Sequence, residues 1–152
     1  MIQQVTLARA TYNEIPYKFE AGTPPIASIV AWQQALHFIK SVGYRTIRQH
    51  EEKLLLQATN GLKSIEKVRL LGPLGNKVGM LTFTVKGLHH LDVGLLLDAK
   101  GVAVRTGHCC TQPLVDFLGL DGVVRASLAM YNTNEEVAQL VESIAQIVKS
   151  NA

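Results

Sequence analysis

The spacing of apolar residues switches along the chain between the period of a helix and that of a strand, and this alternation constrains the fold most. The helices should end at small or turn-forming residues, at Gly43 and at Asn60-Gly61. Turn residues at 72–76 separate two β-branched, apolar runs, which predicts an antiparallel pair. The first half therefore predicts helices at 26–39 and 46–60, and strands at 66–72 and 78–85.

The second half alternates in the same way and ends in a strongly marked helix. Thr133 and Glu136 have the spacing of a capping box, and an amphipathic run follows them. Upstream, the pattern predicts a helix at 90–101, a strand at 102–105, a helix at 112–120 and a strand at 123–130. We expect an α/β (α+β) fold, a small, mostly antiparallel sheet with helices packed on one face.

Residues 1–25 fit neither period for long and contain Pro16, Gly22, Pro24 and Pro25. They predict an arm or connection laid over a surface. Residues 26–152 are then the domain itself, since a chain of 152 residues is long enough for one hydrophobic core.

Composition excludes several classes of protein. The net charge is +3, and the basic residues are scattered without aromatic interleaving, so we expect no nucleic-acid partner. No apolar stretch approaches the roughly 20 residues of a membrane span, and no signal-peptide layout is present. Two adjacent cysteines cannot form a disulfide scaffold, which predicts a reducing, cytoplasmic location.

Both cysteines lie in the segment RTGHCCTQPL, residues 105–114. A metal site is disfavoured because contiguous ligands rarely converge on one ion and no C-x-x-C pair exists, although His89 and His90 are nearby candidates. Either thiol alone could be a small core residue. The polar, glycine-bearing surroundings instead favour a reactive thiol, and the other interpretations stay open.

Cationic groups near this segment would favour a thiolate. Arg105 and His108 are close in sequence, and the N-terminus of the helix near Gln112 is a third contributor. Arg125, on the next predicted strand, could bind a carboxylate with its guanidinium or form a structural ion pair.

Several segments together resemble the SufS-type cysteine desulfurases, which depend on pyridoxal phosphate (PLP) and belong to the class V aminotransferase group. RTGHCCTQPL and VRASLAMYNTNEEV are similar to the C-terminal signature of these enzymes. GLHHLDVGLLLDAKGVAVRTGH resembles the run before the cysteine loop, and FEAGTPPIASIVAWQQAL resembles the opening of their small domain. The resemblance covers essentially the whole chain, in matching order and spacing.

The resemblance implies a role for individual residues. Cys110 corresponds to the cysteine that forms the persulfide, with His108 as a supporting residue of the loop. Arg125 corresponds to the arginine that binds the substrate carboxylate, and Arg105 is a second candidate for substrate binding. Thr23 corresponds to a hydroxyl residue on the PLP phosphate of the neighbouring subunit.

The chain departs from the pattern at two points. Cys109 stands where the family more often has histidine, and no role is assigned to it. The family's PLP lysine and most of its cofactor ligands belong to a large domain that would lie upstream of residue 1. We therefore expect an incomplete part of the enzyme, the small C-terminal domain, which binds no PLP and is inactive alone.

In the complete enzyme the resemblance implies PLP, conversion of L-cysteine to L-alanine, and sulfur supply for iron–sulfur cluster assembly. The implied partners are the PLP-binding large domain or a second subunit of a homodimer, and a SufE/SufU-like sulfur acceptor. Alternatives are a standalone module that relays sulfur on Cys110 or docks onto a partner, and a piece of a selenocysteine lyase.

Overall fold

The structure is a computed structural model that describes residues 1–73 and 77–151. It divides into two compact units, residues 1–43 and a second unit that begins at Tyr44. Of the turn expected at 72–76, residues 74–76 lie outside the described part. Among the described residues, no helix has the length and apolarity needed to cross a membrane.

The first unit begins with a β-hairpin where the sequence predicted an irregular arm. Strands β1 (Ile2–Val5) and β2 (Ala10–Tyr12) pair antiparallel. Their turn is closed by a hydrogen bond of 2.8 Å from the Thr6 N–H to the Arg9 carbonyl. Every residue of β1 is exposed. With neither face buried, the strand carries no alternation of apolar and polar residues, and the sequence pattern missed it for that reason.

Helix α1 (Ile26–Val42) ends, as predicted, at Gly43, which has φ 91° and donates its N–H to the carbonyl of Ile39. Helix α2 (Tyr44–Lys63) instead continues past the predicted stop at Asn60-Gly61. A Cβ at Gly61 would lie 2.6 Å from Cγ2 of Val141. This glycine therefore permits close helix packing within a continuous α2, and the predicted stop was wrong.

The second unit contains a four-stranded antiparallel sheet made of β3 (Val68–Leu71), β4 (Met80–Val85), β5 (Arg105–Gly107) and β6 (Val123–Ser127), in the order β3-β4-β6-β5. The predicted pairing of the first two strands is confirmed. The sequence placed a strand at 102–105, but β5 begins only at Arg105. Val102 and Val104 pack on the core without joining the ladder.

Helices α3 (His90–Asp98) and α5 (Asn134–Ser150) pack with α2 on one face of this sheet. The expected sheet with helices on one face is thus confirmed. The exception is the short helix α4 (Gln112–Phe117), which borders the opposite face. Buried apolar side chains of the sheet and the three helices form the core, among them Leu62, Phe83, Val85, Val93, Leu97, Val124, Leu140 and Ile144.

The predicted capping box at the start of α5 is present. The Glu136 N–H donates to the Thr133 hydroxyl at 3.2 Å, and the Thr133 N–H donates to the Glu136 carboxylate at 2.9 Å. The Asn132 side chain also donates to this carboxylate. These bonds stabilise the charged form and hold the pKa of Glu136 below its ordinary value.

Candidate active site

A row of side chains crosses the face of the sheet that α2, α3 and α5 leave uncovered. The register pairs Leu71 with Thr82, Thr82 with Arg125, and Arg125 with Arg105. Successive residues of a strand point to opposite faces, so this row lies opposite the buried Phe83 and Val124. One row of side chains therefore spans all four strands on the uncovered face, and it changes from apolar Leu71 through Thr82 to the two arginines.

The row borders a cavity of about 400 Å³. The sheet forms one wall, and α4 with the preceding loop forms another. Most of the lining is apolar, with a few polar groups, which is the composition of small-molecule sites. The lining residues are Leu71, Gly72, Met80, Thr82, Cys109, Thr111, Leu114, Val115, Leu118, Val123 and Arg125.

Arg125 is half-buried in this wall, and its Nε is buried without a hydrogen-bond partner among the described residues. Arg105 lies directly opposite on the neighbouring strand, and like charges in such a pair repel. Within residues 1–73 and 77–151 the one ion pair joins Arg48 to Glu52, so neither guanidinium has a carboxylate partner. The alternative of a structural ion pair at Arg125 therefore has no partner in the described chain. The pair of guanidiniums suits an anion.

The cysteine loop that borders the cavity has an unusual backbone. Cys109 has φ 51° and Cys110 has φ 65°, and Gly107 just before them has φ 96°. A left-handed conformation costs a non-glycine residue roughly 1–3 kcal/mol, and such residues concentrate at functional sites. The N–H and the hydroxyl of Thr111 both donate to the carbonyl of His108, at 2.9 and 2.8 Å, and hold the turn.

The two thiols of this loop have different surroundings. Cys110 is exposed, and Nη2 of Arg105 lies 3.5 Å from its sulfur as a hydrogen-bond donor. Cys109 is half-buried and lines the cavity with Arg125. The structure thus brings Arg105 to the cysteine loop, while its expected part in substrate binding stays a prediction. Helix α4 has six residues, so the expected contribution of a helix N-terminus is small.

Two other predicted site residues are not brought to the cysteines. In the described chain, the His108 ring forms no hydrogen bond with either sulfur, and its contribution to the loop is through its carbonyl. Thr23 lies in the first unit, where it is exposed. Its expected contact with a cofactor phosphate stays a prediction.

Sequence reasoning missed the part that His90 plays next to the loop. This half-buried residue begins α3, and a Cβ added at Gly122 would overlap its ring. Its Nδ1 is buried and unpartnered among the described residues. Burial, and then the charge of neighbouring His89, lower the pKa of His90. No group of three potential metal ligands occurs in the described chain, including around these histidines.

Thr82 and the α4 side of the cavity were also missed. The signal for Thr82 was present, because polar Thr82 and Thr84 alternate with apolar neighbours in β4. That alternation indicates a strand with one face outside the core.

Comparison with known proteins identifies the family that the chain resembles. The family model "Aminotransferase class-V" matches residues 1–140. A protein of Staphylococcus epidermidis named "Probable cysteine desulfurase" is 41% identical over 147 residues, which are 96% of this chain and 36% of the relative. The chain therefore spans about a third of the length of this relative.

Two solved structures have the same fold. The apo cysteine desulfurase of Thermococcus onnurineus superimposes with a TM-score of 0.86 at 37% identity, over 98% of this chain and 38% of that one. The cysteine desulfurase CsdA of Escherichia coli has a TM-score of 0.86 at 29% identity, over 100% of this chain and 38% of that one. The predicted resemblance is confirmed at this level: the chain belongs to the aminotransferase class-V family and is similar over its whole length to cysteine desulfurases.

Proposed function

We propose that this chain is the small C-terminal domain of a SufS-type cysteine desulfurase, with residues 1–25 as the connection to a PLP-binding large domain and 26–152 as the domain. The complete enzyme would convert L-cysteine to L-alanine and carry the sulfur as a persulfide of Cys110, for iron–sulfur cluster assembly. The observation that carries this proposal is the unpartnered Arg125 beside the cysteine loop on one apolar cavity.

Arg125 would bind the substrate carboxylate. A guanidinium with a buried, unsatisfied Nε gains a charge-assisted hydrogen bond when a carboxylate enters, and the repulsion from Arg105 falls at the same time. The apolar walls exclude water and strengthen this attraction. The substrate is thereby held in one orientation, with its sulfur directed to the loop.

Cys110 would accept the sulfur. Its exposed sulfur can reach both a substrate and an external acceptor, and the guanidinium of Arg105 stabilises negative charge on it. Helix α4 next to the loop presents Leu114 and Phe117, which are 56% and 85% exposed. An apolar surface beside the thiol suits docking of a SufE/SufU-like acceptor.

The residues of this chain do not by themselves fit PLP. Among the described residues, the cavity lining contains no lysine that could hold the cofactor covalently. We place PLP in the complete enzyme, where it supplies an electron sink, with its covalent attachment in the large domain. Thr23 would contact its phosphate from the neighbouring subunit of a homodimer, and the enzyme would be cytoplasmic.

The test uses the protein purified from its native source. Its intact mass should lie well above 16.6 kDa, it should contain PLP, and it should release sulfide from L-cysteine in the presence of a reductant. Cys110→Ser should abolish persulfide formation. Arg125→Gln should raise KM for cysteine about 10- to 100-fold, because hydrogen bonds to a charged group contribute about 1.5–3 kcal/mol.

Arg69→Gln is the matched control, since Arg69 is exposed on β3 and does not line the cavity. It should leave KM unchanged. Unchanged persulfide formation in Cys110→Ser would refute the assigned nucleophile. Sulfide release by the 152-residue chain with added PLP alone would refute its catalytic incompleteness.

A standalone sulfur-relay module is the second candidate. It is favoured by the fact that the second unit has its own core and forms the cysteine loop and cavity by itself. A native mass of 16.6 kDa, with sulfur uptake on Cys110 from a persulfide donor, would support this candidate over the first.

A further inference from the structure

The two adjacent thiols face two different environments, and the function proposed above uses one of them. Cys110 is exposed beside Arg105, whereas Cys109 is half-buried in the wall of the apolar cavity. Consecutive left-handed residues, with φ 51° and 65°, produce this separation within a single peptide unit. The half-buried thiol of Cys109 does not fill the space beside it, which remains a cavity of about 400 Å³.

We propose that Cys109 is a second sulfur-carrying residue, which takes the outer sulfur from the Cys110 persulfide and holds it in the cavity. This role rests on the proposed function, because it requires that Cys110 be loaded first. The exposed thiol of Cys110 would accept sulfur from the donor and pass it to the acceptor. The half-buried thiol would serve as a sheltered storage position.

The transfer is a thiol–persulfide exchange and needs no oxidant. The Cys109 thiol loses its proton, and its sulfur attacks the outer sulfur on Cys110. A new S–S bond forms on Cys109 while the S–S bond on Cys110 breaks. The electron pair of that bond stays on the Cys110 sulfur as a thiolate, which takes up the proton. The number of sulfur atoms and the oxidation state of the pair are unchanged.

Charge favours this direction. Negative charge develops on the Cys110 sulfur as its S–S bond breaks, and Nη2 of Arg105 lies 3.5 Å from that sulfur. On the other side, a persulfide on Cys109 is readily ionised and shares the cavity with Arg125, whose Nε has no partner in the described chain. Each thiol therefore has one of the two opposed guanidiniums on its side.

The different burial of the two thiols should change how easily the carried sulfur is lost to reductants. Sulfur on the exposed Cys110 meets any small reductant or thiol in solution. Sulfur on Cys109 would be less exposed, because this residue is half-buried beside a cavity whose walls are mostly apolar. Transfer to Cys109 should therefore protect the stored sulfur until an acceptor draws it back through Cys110.

The test charges the 152-residue chain with glutathione persulfide, so that neither L-cysteine nor PLP is involved. The donor is removed, samples are alkylated at intervals, and peptide fragmentation locates the added sulfur on residue 109 or 110. In the wild-type chain the sulfur should appear on Cys110 first and then move to Cys109. This time course needs no substitution, so a folding defect in a variant cannot obscure it.

Two variants complete the experiment, each checked by thermal denaturation. In Cys109→Ser the sulfur should stay on Cys110, and dithiothreitol should remove it several-fold faster than from the wild type. In Cys110→Ser early uptake should be lost, because the donor does not reach the half-buried thiol.

Three outcomes overturn the inference. One is sulfur that remains on Cys110 throughout in the wild type. Another is uptake by Cys110→Ser at the wild-type rate, which makes Cys109 the entry point. The third is a Cys109–Cys110 disulfide with release of sulfide, which means that Cys109 attacks the inner sulfur. Because the donor bypasses cysteine cleavage, these results are independent of whether the native protein is a desulfurase.

Discussion

The two faces of the four-stranded sheet differ in what covers them and in how well their polar groups are paired. One face is packed by α2, α3 and α5 and presents fully buried side chains such as Phe83 and Val124. The other borders a cavity and carries two opposed arginines without carboxylate partners in the described chain. The first face stabilises the fold, whereas the second leaves polar groups unsatisfied at a cost in stability, as is typical of functional sites.

The largest expected effect is on the core face. Phe83→Ala should lower the free energy of unfolding by about 3–5 kcal/mol, because it removes a fully buried ring and leaves a cavity. Urea unfolding followed by circular dichroism measures this. Thr82→Ala is the matched control on the adjacent residue of the same strand, which lines the cavity. Equal losses from the two variants would contradict the distinction between the faces.

The second-largest loss of stability is expected at the junction between the helix layer and the cysteine loop. Gly122→Ala should cost about 1–3 kcal/mol, because the new methyl group overlaps the His90 ring and overpacks this site. In a His90→Ala background the same change should cost close to nothing, which a double-mutant cycle of urea unfolding tests. An undiminished cost in that background would mean that the strain lies in the backbone of Gly122.

In the helix-covered layer, the N-terminal cap of α5 should contribute less to the free energy of unfolding than the packing at Gly122. Thr133→Ala should lower the free energy of unfolding by about 1 kcal/mol, since it removes the acceptor of the Glu136 N–H. Thr133→Ser retains the hydroxyl and should restore most of the loss. Thermal unfolding of the three proteins gives the order, and a serine variant no better than alanine would argue against the cap.

On the cavity face, a substitution should raise the free energy of unfolding instead of lowering it. Arg125→Met should raise the free energy of unfolding by up to about 1 kcal/mol, because it removes a buried unsatisfied nitrogen and the repulsion from Arg105. The same change should abolish carboxylate binding. Urea unfolding and titration with a cysteine analogue measure the two effects. A clear loss of stability would contradict this prediction and show that Arg125 stabilises the fold.

The smallest expected effect is on the pH dependence of stability. The carboxyl of Glu136 has a lowered pKa because Asn132 and the Thr133 N–H donate to it. Its contribution to stability is complete above the ordinary Glu pKa of about 4.3 and is lost as the pH falls through the lowered value. The difference in unfolding free energy between wild type and Glu136→Ala should therefore shrink on acidification. A constant difference would mean that the charge is irrelevant to the cap.

Local signals predicted much of the second unit. Thr133 and Glu136 marked the start of α5 correctly, because a capping box is satisfied by neighbours in the chain. The stop predicted at Asn60-Gly61 failed because the reason for this glycine, contact with Val141, is distant in sequence. The strand expected at 102–105 was displaced for a similar reason, since Val102 and Val104 pack on the core outside the ladder.

For the site, the sequence by itself determined which residue types the cysteine loop contains and its resemblance to cysteine desulfurases, because residue types and their spacing are carried by the chain. Only the tertiary structure decided which groups meet. Strand register placed Arg105 opposite Arg125, and two left-handed residues turned Cys110 to solvent and Cys109 to the cavity. Register and backbone dihedrals depend on pairing and packing across the whole unit, so spacing along the chain does not specify them.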